Sequence, residues 1–262
     1  MFDYHMHSKV SFDGKETAER MLCAAETAGL REICFTDHID FDPMAQEQVM
    51  LFDTEAYNAA YDHLSSHKVK VRRGMEYGMI SDRPELLQQA LERREFDFVI
   101  GSVHFVDGYD VYFPPYWEGK TMEQAERRYL EEVLSCVKVH DAFDVLGHLT
   151  YISKSWNNPT HRPVEYSLYA DLVDEIFREL IRKDKGIEVN TSGIGHCGVC
   201  LPDLDYVRRF HELGGKIVTV GSDAHTAERV GENCTEAAKM VAEIFGYVCT
   251  FENRQPIFHK IP

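Results

Sequence analysis

The chain has 262 residues, a length typical of one large domain or of a single barrel of alternating strands and helices. Hydrophobic residues make up 44% of it, enough for a large core, and 44 acidic against 28 basic residues give a formal net charge of −16. This charge argues against a general nucleic-acid partner or an anionic membrane surface, because both are bound by positive fields, so an anionic substrate needs a local positive centre such as bound divalent cations.

Short β-branched or aromatic runs alternate along the chain with longer amphipathic segments, which is the pattern of parallel strands joined by helices. The first strand ends at His5 and His7, and later strand candidates include Ile33–Phe35, Lys70–Met75, Phe96–Ser102, Phe143–Gly147 and Lys216–Val220. Seven helices are predicted after seven strands: Glu16–Ala28, Thr54–Ser66, Arg83–Arg94, Thr121–His140, Glu165–Lys185, Asp203–Leu213 and Thr226–Phe245. An eighth strand candidate, Tyr247–Phe251, follows the last helix, and the absence of a linker-like segment favours one domain over residues 1–262.

Side chains that bind metals follow one predicted strand after another. His5 and His7 lie two apart on a strand, so both point to the same face. The recurrence at later strand ends is hard to attribute to chance. In chain order the set is His5, His7, His38, Glu76, His104, His148, Asp223 and His225, with Asp13 in the loop after the first strand.

Six or seven strands contribute to this set, and that favours a closed barrel. An open doubly wound sheet concentrates its site at one switch point, whereas a barrel gathers residues from many strand ends into a ring. We therefore expect an α/β protein with a distorted seven-stranded barrel and one extra segment. Nine nitrogen and oxygen side chains predict two or three divalent ions, and imidazole mixed with carboxylate suits zinc, iron or manganese.

The start of the chain and its cysteines bear on location. Met1 to His5 includes no basic segment followed by an apolar run, and no apolar stretch approaches the ~20 residues that span a bilayer. We therefore expect a cytoplasmic protein that does not bind membranes. The seven cysteines are scattered, which indicates reduced thiols rather than a disulfide framework.

The strand-end residues lie in stretches that resemble the polymerase and histidinol phosphatase (PHP) family, and within it the monofunctional histidinol-phosphatases. In order along nearly the whole chain, these stretches are Asp3–His7, Phe35–His38, Gly74–Glu76, Gly101–His104, Gly147–His148, Glu188–Gly193 and Gly221–His225. The resemblance implies a distorted, TIM-like (β/α)7 barrel of the PHP type whose carboxyl-terminal face holds three metals.

By that resemblance, the strand-end residues divide among three metals. The first would be held by His5, His7, Glu76 and Asp223, and Glu76 would bridge to a second held also by His104 and His148. The third would be held by His38, His225 and Asp13, a position where many relatives carry histidine. Among these residues we assign catalytic importance to Glu76, Asp223 and His225.

The chemistry implied is hydrolysis of a phosphate monoester without a protein nucleophile. Metal ions lower the pKa of bound water toward ~7 and neutralise the phosphate as it is attacked. The resemblance implies conversion of L-histidinol phosphate to L-histidinol and phosphate in histidine biosynthesis. Cationic side chains bind phosphate, and the candidates near strand ends are Lys154, Arg162 and Arg229, although Tyr151–Trp156 departs from the basic pair of relatives.

The aromatic segment Val106–Glu118 follows His104 directly. It is interpreted either as a loop that packs its own rings or as a wall around an imidazole-bearing substrate. Asp110 or Glu118 could pair with a substrate amine.

Other functions remain open at this point. The same site could act on a nucleotide or a phosphotyrosine protein, or the chain could be a non-catalytic metal-binding module. A zinc-dependent amidohydrolase is a further alternative, but we would expect it to carry a bridging lysine, which the sequence does not supply. The sequence leaves the oligomeric state open.

Overall fold

A computed structural model describes residues 1–41, 50, 51, 53–92, 94–155 and 161–261. Arg93, inside the third predicted helix, and Trp156 lie outside the described residues. Within the described ranges the strands are β1 Phe2–Met6, β2 Glu32–Phe35, β3 His38–Asp40, β4 Met50–Leu51, β5 Lys70–Gly78, β6 Phe98–Ser102, β7 Phe105–Val106, β8 Tyr109–Asp110, β9 Val145–Leu146, β10 Gly186–Asn190, β11 Val218–Gly221, β12 Val248–Glu252 and β13 Gln255–His259. The helices are α1 Ala18–Thr27, α2 Thr54–Tyr61, α3 Glu85–Glu92, α4 Pro114–Trp117, α5 Met122–Val139, α6 Ala170–Arg182, α7 Ile194–Cys197, α8 Leu204–Glu212 and α9 Cys234–Phe245.

Seven parallel strands form a nearly closed barrel, in the order β1, β2, β5, β6, β9, β10 and β11. The ends of β11 and β1 approach each other through two backbone hydrogen bonds. The amide of Asp223 donates to the carbonyl of His5 at 2.8 Å, and the amide of His7 donates to the carbonyl of Ala224 at 2.9 Å. The predicted seven-stranded TIM-like barrel is confirmed.

The barrel core follows from strands that are buried on both faces. Every residue of β2, β6 and β10 is buried, as expected for parallel strands covered by helices. The helices turn one apolar stripe inward, and α6 buries Val173, Ile176, Phe177 and Leu180 at helical spacing. A polar residue within such a strand, such as Glu188 in β10, therefore requires a partner inside the barrel.

An irregularity in β1 changes which side chains face the barrel interior. Between Asp3 and Met6 the pairing with β2 shifts, so β1 carries one extra residue there. Such a bulge redirects side chains. Tyr4 packs against Phe98 with ring centroids 5.4 Å apart, whereas its neighbour His5 belongs to the polar cluster described below.

The eighth strand candidate lies outside the barrel order. It forms β12, which pairs antiparallel with β13, and this hairpin covers the amino-terminal end of the barrel. Phe251 packs against Phe98 at 4.8 Å, and its carbonyl accepts the Tyr4 hydroxyl at 3.1 Å. From the turn, Arg254 donates to Asp144 at 2.5 Å. The predicted extra segment therefore closes the end of the barrel opposite the polar strand ends.

Several predicted helix boundaries were wrong. The helix predicted over Thr226–Phe245 begins at Cys234, because Gly231 and Asn233 have φ of +71° and +58° and break any earlier helical turn. The helix predicted over Glu165–Lys185 begins at Ala170, after a 3₁₀ turn at Tyr166–Leu168.

The helix predicted over Thr54–Ser66 ends at Tyr61. Past that end, Ser66 accepts hydrogen bonds from the amides of Lys68 and Val69, at 3.0 and 3.2 Å. This local side-chain bonding replaces helical bonding. Among the described residues, no helix is both long enough and apolar enough to cross a membrane.

Replacing Phe251 with alanine should lower the free energy of unfolding by about 3 kcal/mol or more, because it leaves a cavity at the closed end of the barrel. Chemical denaturation followed by circular dichroism measures this change. Phe258 of the same hairpin is the matched control, since it is 51% exposed whereas Phe251 is 1% exposed. Phe258→Ala should lower the free energy of unfolding by less than about 1 kcal/mol. An equal loss of stability in the two variants would contradict the role of Phe251 in closing this end of the barrel.

Candidate metal centre

The polar strand ends meet at the carboxyl-terminal face of the barrel, around a cavity of about 440 Å³. His5 and His7 are completely buried beneath it. The remaining predicted metal ligands all line the cavity: Asp13, His38, Glu76, His104, His148, Asp223 and His225.

The imidazoles of His5 and His7 point at each other through their Nε2 atoms, which lie 3.0 Å apart. The outer nitrogen of His5, Nδ1, lies 2.6 Å from the Glu188 carboxylate, which can only accept. In the neutral form of His5 this contact places the proton on Nδ1 and leaves Nε2 as the nitrogen that can bind a metal.

A second chain of hydrogen bonds fixes the tautomer of His7. The Ser11 hydroxyl donates to Asp37 at 3.0 Å, so its oxygen is left to accept. That oxygen accepts from Nδ1 of His7 at 3.2 Å and from the amide of His38 at 2.9 Å. The Nε2 atoms of His5 and His7 thus face each other within the cluster, an arrangement that suits positive charge between them, whether a proton on His5 or a bound metal ion.

Two carboxylates complete this first group. Glu76 Oε2 lies 3.0 Å from His5 Nε2 and 3.4 Å from His7 Nε2. Asp223 Oδ1 lies 3.5 and 3.3 Å from the same two atoms. Ligand atoms of a tetrahedral zinc ion stand roughly 3.3 Å apart when metal–ligand bonds are about 2.0 Å. The four side chains fit one metal.

The other oxygen of Glu76 faces a second pair of histidines. Glu76 Oε1 lies 2.8 Å from His148 Nε2 and 3.3 Å from His104 Nε2, and it also accepts the Ser102 hydroxyl at 2.6 Å. Asp40 holds His104 from behind, with both carboxylate oxygens 3.1 Å from Nδ1. Glu76 therefore connects two groups of imidazoles, as a bridging ligand would.

A third group lies nearer the surface. Asp13 Oδ2 lies 3.0 Å from His225 Nε2 and 3.6 Å from His38 Nε2. His225 donates from Nδ1 to the carbonyl of Asp223 at 2.9 Å, which leaves Nε2 free to bind. The structure thus brings Asp13 together with both histidines predicted to share a metal with it.

The electrostatics of the cluster favour positive charge. Burial opposes a charge on His5, but Glu188, Glu76 and Asp223 outweigh it and raise its pKa well above the ordinary value. Burial likewise opposes a charge on His38, yet its carboxylate neighbours raise its pKa to about 9. His7 differs, because burial and the neighbouring His225 and His38 lower its pKa to about 3 and keep it neutral.

Two of the three predicted phosphate-binding cations line the cavity. Lys154 donates to Asp223 Oδ2 at 2.9 Å and to the Ser192 hydroxyl at 3.0 Å. Arg229 also lines the cavity, but its guanidinium pairs with Glu232 at 2.8 Å. Arg162 is placed elsewhere.

Arg162 forms an ion pair with Glu126 at 3.0 Å and does not line the cavity. Glu126 is buried on α5 and also accepts the Tyr169 hydroxyl at 2.6 Å, so the pair belongs to the helix packing around the barrel. We therefore remove Arg162 from the candidate phosphate ligands.

Residues 3–192 match the PHP domain. The chain belongs to the PHP family. A probable histidinol-phosphatase of Clostridium acetobutylicum is 32% identical over 99% of this chain and 97% of its own. The histidinol-phosphatase of Lactococcus lactis is 31% identical over 87% of this chain and 85% of its own. A crystal structure of histidinol phosphate phosphatase from L. lactis, complexed with zinc, L-histidinol and phosphate, has a TM-score of 0.85 at 28% identity and covers 98% of each chain.

The PHP match ends before Asp223 and His225. Their place in the cluster follows from barrel closure, since β11 lies beside β1 and its end meets His5 and His7. Geometry therefore adds these two side chains to those within the matched residues.

Sequence reasoning missed the side chains that orient the predicted metal ligands. Glu188 binds His5 and also accepts the backbone amide of His148 at 2.8 Å, so it joins two ligand groups. Asp40 and Ser11 orient ligands in the same way. A carboxylate in the middle of a buried strand, as at Glu188 in β10, was the available signal, because such a charge requires a partner.

Glu188→Gln should weaken metal binding by about 10- to 100-fold, the usual cost of removing an outer hydrogen-bond partner of a ligand. The amide loses the negative charge and presents a donor to one of two groups that already donate, His5 Nδ1 and the His148 amide. Competition with a chelator measures the affinity. Glu243→Gln, on the exposed side of α9, is the control, and an unchanged affinity for Glu188→Gln would refute the orienting role.

Proposed function

We propose that this protein is a metal-dependent phosphomonoesterase that hydrolyses L-histidinol phosphate to L-histidinol and phosphate in histidine biosynthesis. The observation that carries the metal dependence is the convergence of two imidazole nitrogens, His5 Nε2 and His7 Nε2, which lie 3.0 Å apart between the carboxylates of Glu76 and Asp223. The substrate rests on the relatives named histidinol-phosphatase and on the L. lactis complex with L-histidinol and phosphate.

The metal ligands in this proposal form three groups joined by Glu76. The donor sets are His5, His7, Glu76 and Asp223; Glu76, His104 and His148; and His38, His225 and Asp13. Mixed imidazole and carboxylate ligands suit zinc, iron or manganese, and the L. lactis relative contains zinc. When bound, such ions activate water and neutralise charge on the phosphate.

The protein's own contribution is to hold the phosphate ester beside these groups. Lys154 is the cationic side chain that supports phosphate binding best, because its ammonium lies within the cavity, next to Asp223 and Ser192. Arg229 reaches the same cavity from the mouth and is 38% exposed in its side chain. Asp223 thereby faces the metal group with one oxygen and the phosphate-binding lysine with the other.

The size of the cavity supports a small phosphate ester. A volume of about 440 Å³ lies within the range of roughly 300–1,000 Å³ that is usual for small-molecule sites. Aromatic side chains of the segment after His104 contribute Tyr112 and Phe113 to the wall. The cavity is therefore large enough for a small phosphate ester and offers ring surfaces beside the metal groups.

Purified protein supplied with zinc or manganese should hydrolyse L-histidinol phosphate with a kcat/KM at least about tenfold higher than for a nucleoside monophosphate or phosphotyrosine, since only the first has the shape and charge of the relatives' substrate. Release of inorganic phosphate measures each rate. Equal kcat/KM values for the three esters would contradict the assigned substrate. No hydrolysis of any of them would contradict the enzyme function.

Glu76→Gln should lower the metal content of the purified protein by at least one ion per chain and reduce hydrolysis below about 1% of the wild-type rate, because one carboxylate serves two donor groups. Mass spectrometry of bound metals and phosphate release provide the two readouts. The exposed variant Glu243→Gln should match wild type in both. Full metal content and activity in Glu76→Gln would exclude a bridging role.

A further inference from the structure

A short hairpin carries an acidic side chain from the metal centre into the cavity wall. Strands β7 and β8 are joined by Asp107 and Gly108, whose φ values of +54° and +85° fit a two-residue turn of the type that Asp-Gly favours. The hairpin starts directly after His104, and the amide of Val111 donates back to the His104 carbonyl at 3.0 Å. Asp110 is thereby fixed relative to a predicted metal ligand.

The side chain of Asp110 lines the cavity. One oxygen, Oδ1, accepts the backbone amide of Tyr112 at 2.8 Å. Across the described parts of the chain, no lysine, arginine or histidine nitrogen forms an ion pair with this carboxylate. The Asp110 carboxylate therefore lacks a direct cationic partner among these residues, and His104 and His38 act on it only at longer range.

The cations of the cavity are already engaged by other acids. Lys154 pairs with Asp223 at 2.9 Å, and Arg229 pairs with Glu232 at 2.8 Å. Burial raises the pKa of the Asp110 carboxyl, which reflects the cost of an unpaired charge in the wall. A positively charged ligand group placed against it would remove that cost.

We infer that Asp110 is a specificity-determining residue that binds the cationic end of the substrate, an ammonium or imidazolium group, while the phosphate lies at the metal groups. This inference rests on the proposed function, because it assumes a phosphate ester that also carries positive charge. It selects Asp110 over Glu118, the other acid of the aromatic segment considered as a partner for a substrate amine. Glu118 is exposed and does not line the cavity, so it is excluded.

The aromatic neighbours of Asp110 fit the same ligand. Tyr112 and Phe113 line the cavity immediately after it, and Phe113 is 53% exposed at the mouth. Aromatic faces attract cations and stack on flat rings such as imidazole. The wall therefore combines a carboxylate with ring surfaces, which together suit a cationic heteroaromatic group.

The test compares Asp110→Asn with Glu118→Gln in the full-length, metal-loaded protein. Asparagine keeps the shape of the side chain and an oxygen that can accept the Tyr112 amide, but it lacks the charge. The substrates are L-histidinol phosphate, which carries the cationic groups, and p-nitrophenyl phosphate, which carries none. The measured quantity is the ratio of their kcat/KM values.

Asp110→Asn should lower this ratio by about tenfold or more, the size expected for loss of a charge-assisted hydrogen bond, and should raise the KM for L-histidinol phosphate. L-histidinol should also become a weaker competitive inhibitor of p-nitrophenyl phosphate hydrolysis by a similar factor. Glu118→Gln should leave the ratio and the inhibition as in wild type.

A ratio in Asp110→Asn within about threefold of wild type would overturn the inference, whether both activities fall together or neither falls. In that case Asp110 supports the loop or the metals and does not select the substrate. Failure of the proposed function has a different signature. The wild-type protein would then hydrolyse p-nitrophenyl phosphate but not L-histidinol phosphate, which removes the assigned substrate and this role of Asp110 with it.

Discussion

The contact between His5 Nε2 and His7 Nε2 is the constraint on which the rest of the site depends. The two nitrogens lie 3.0 Å apart between the carboxylates of Glu76 and Asp223, so the space between these four side chains favours a positive charge, either a proton on His5 or a metal ion. Each imidazole is held in this position by a hydrogen bond on its outer nitrogen, from His5 to Glu188 and from His7 to Ser11. The barrel thus preforms a site in which a metal ion would take the place of the proton on His5.

This arrangement requires the first and last barrel strands to stay in register. Asp3 accepts the Ser222 amide and the Gly231 amide, both at 2.8 Å, and so fixes the end of β11 against β1. The next residue, Asp223, then approaches His5 and His7. The contacts that close the barrel between β11 and β1 therefore also bring Asp223 to His5 and His7. A substitution that loosens this closure should also displace Asp223 from the two histidines.

Sequence alone predicted the barrel and the residues at its strand ends, because parallel strands and metal-binding side chains both recur with a clear spacing. It could not predict where α9 begins, since the break depends on positive φ at Gly231 and Asn233 rather than on amphipathic periodicity. It also missed Glu188 and Asp40. Their role comes from contacts across the barrel, such as Glu188 with His5, that are distant along the chain. The placement of Arg162 depended in the same way on a distant partner, Glu126.

The two carboxylate oxygens of Asp223 face different partners, the histidine pair on one side and a lysine on the other. Oδ1 faces the histidine pair, at 3.3 Å from His7, and Oδ2 faces Lys154 at 2.9 Å. The lysine is thus held beside the metal ligands by one of those ligands. A metal ion held by Asp223 would draw charge from this carboxylate and would weaken its attraction for Lys154. The ammonium would then be more available to a phosphate, and a local positive centre of this kind is what a chain with a net charge of −16 needs in order to bind an anionic ester.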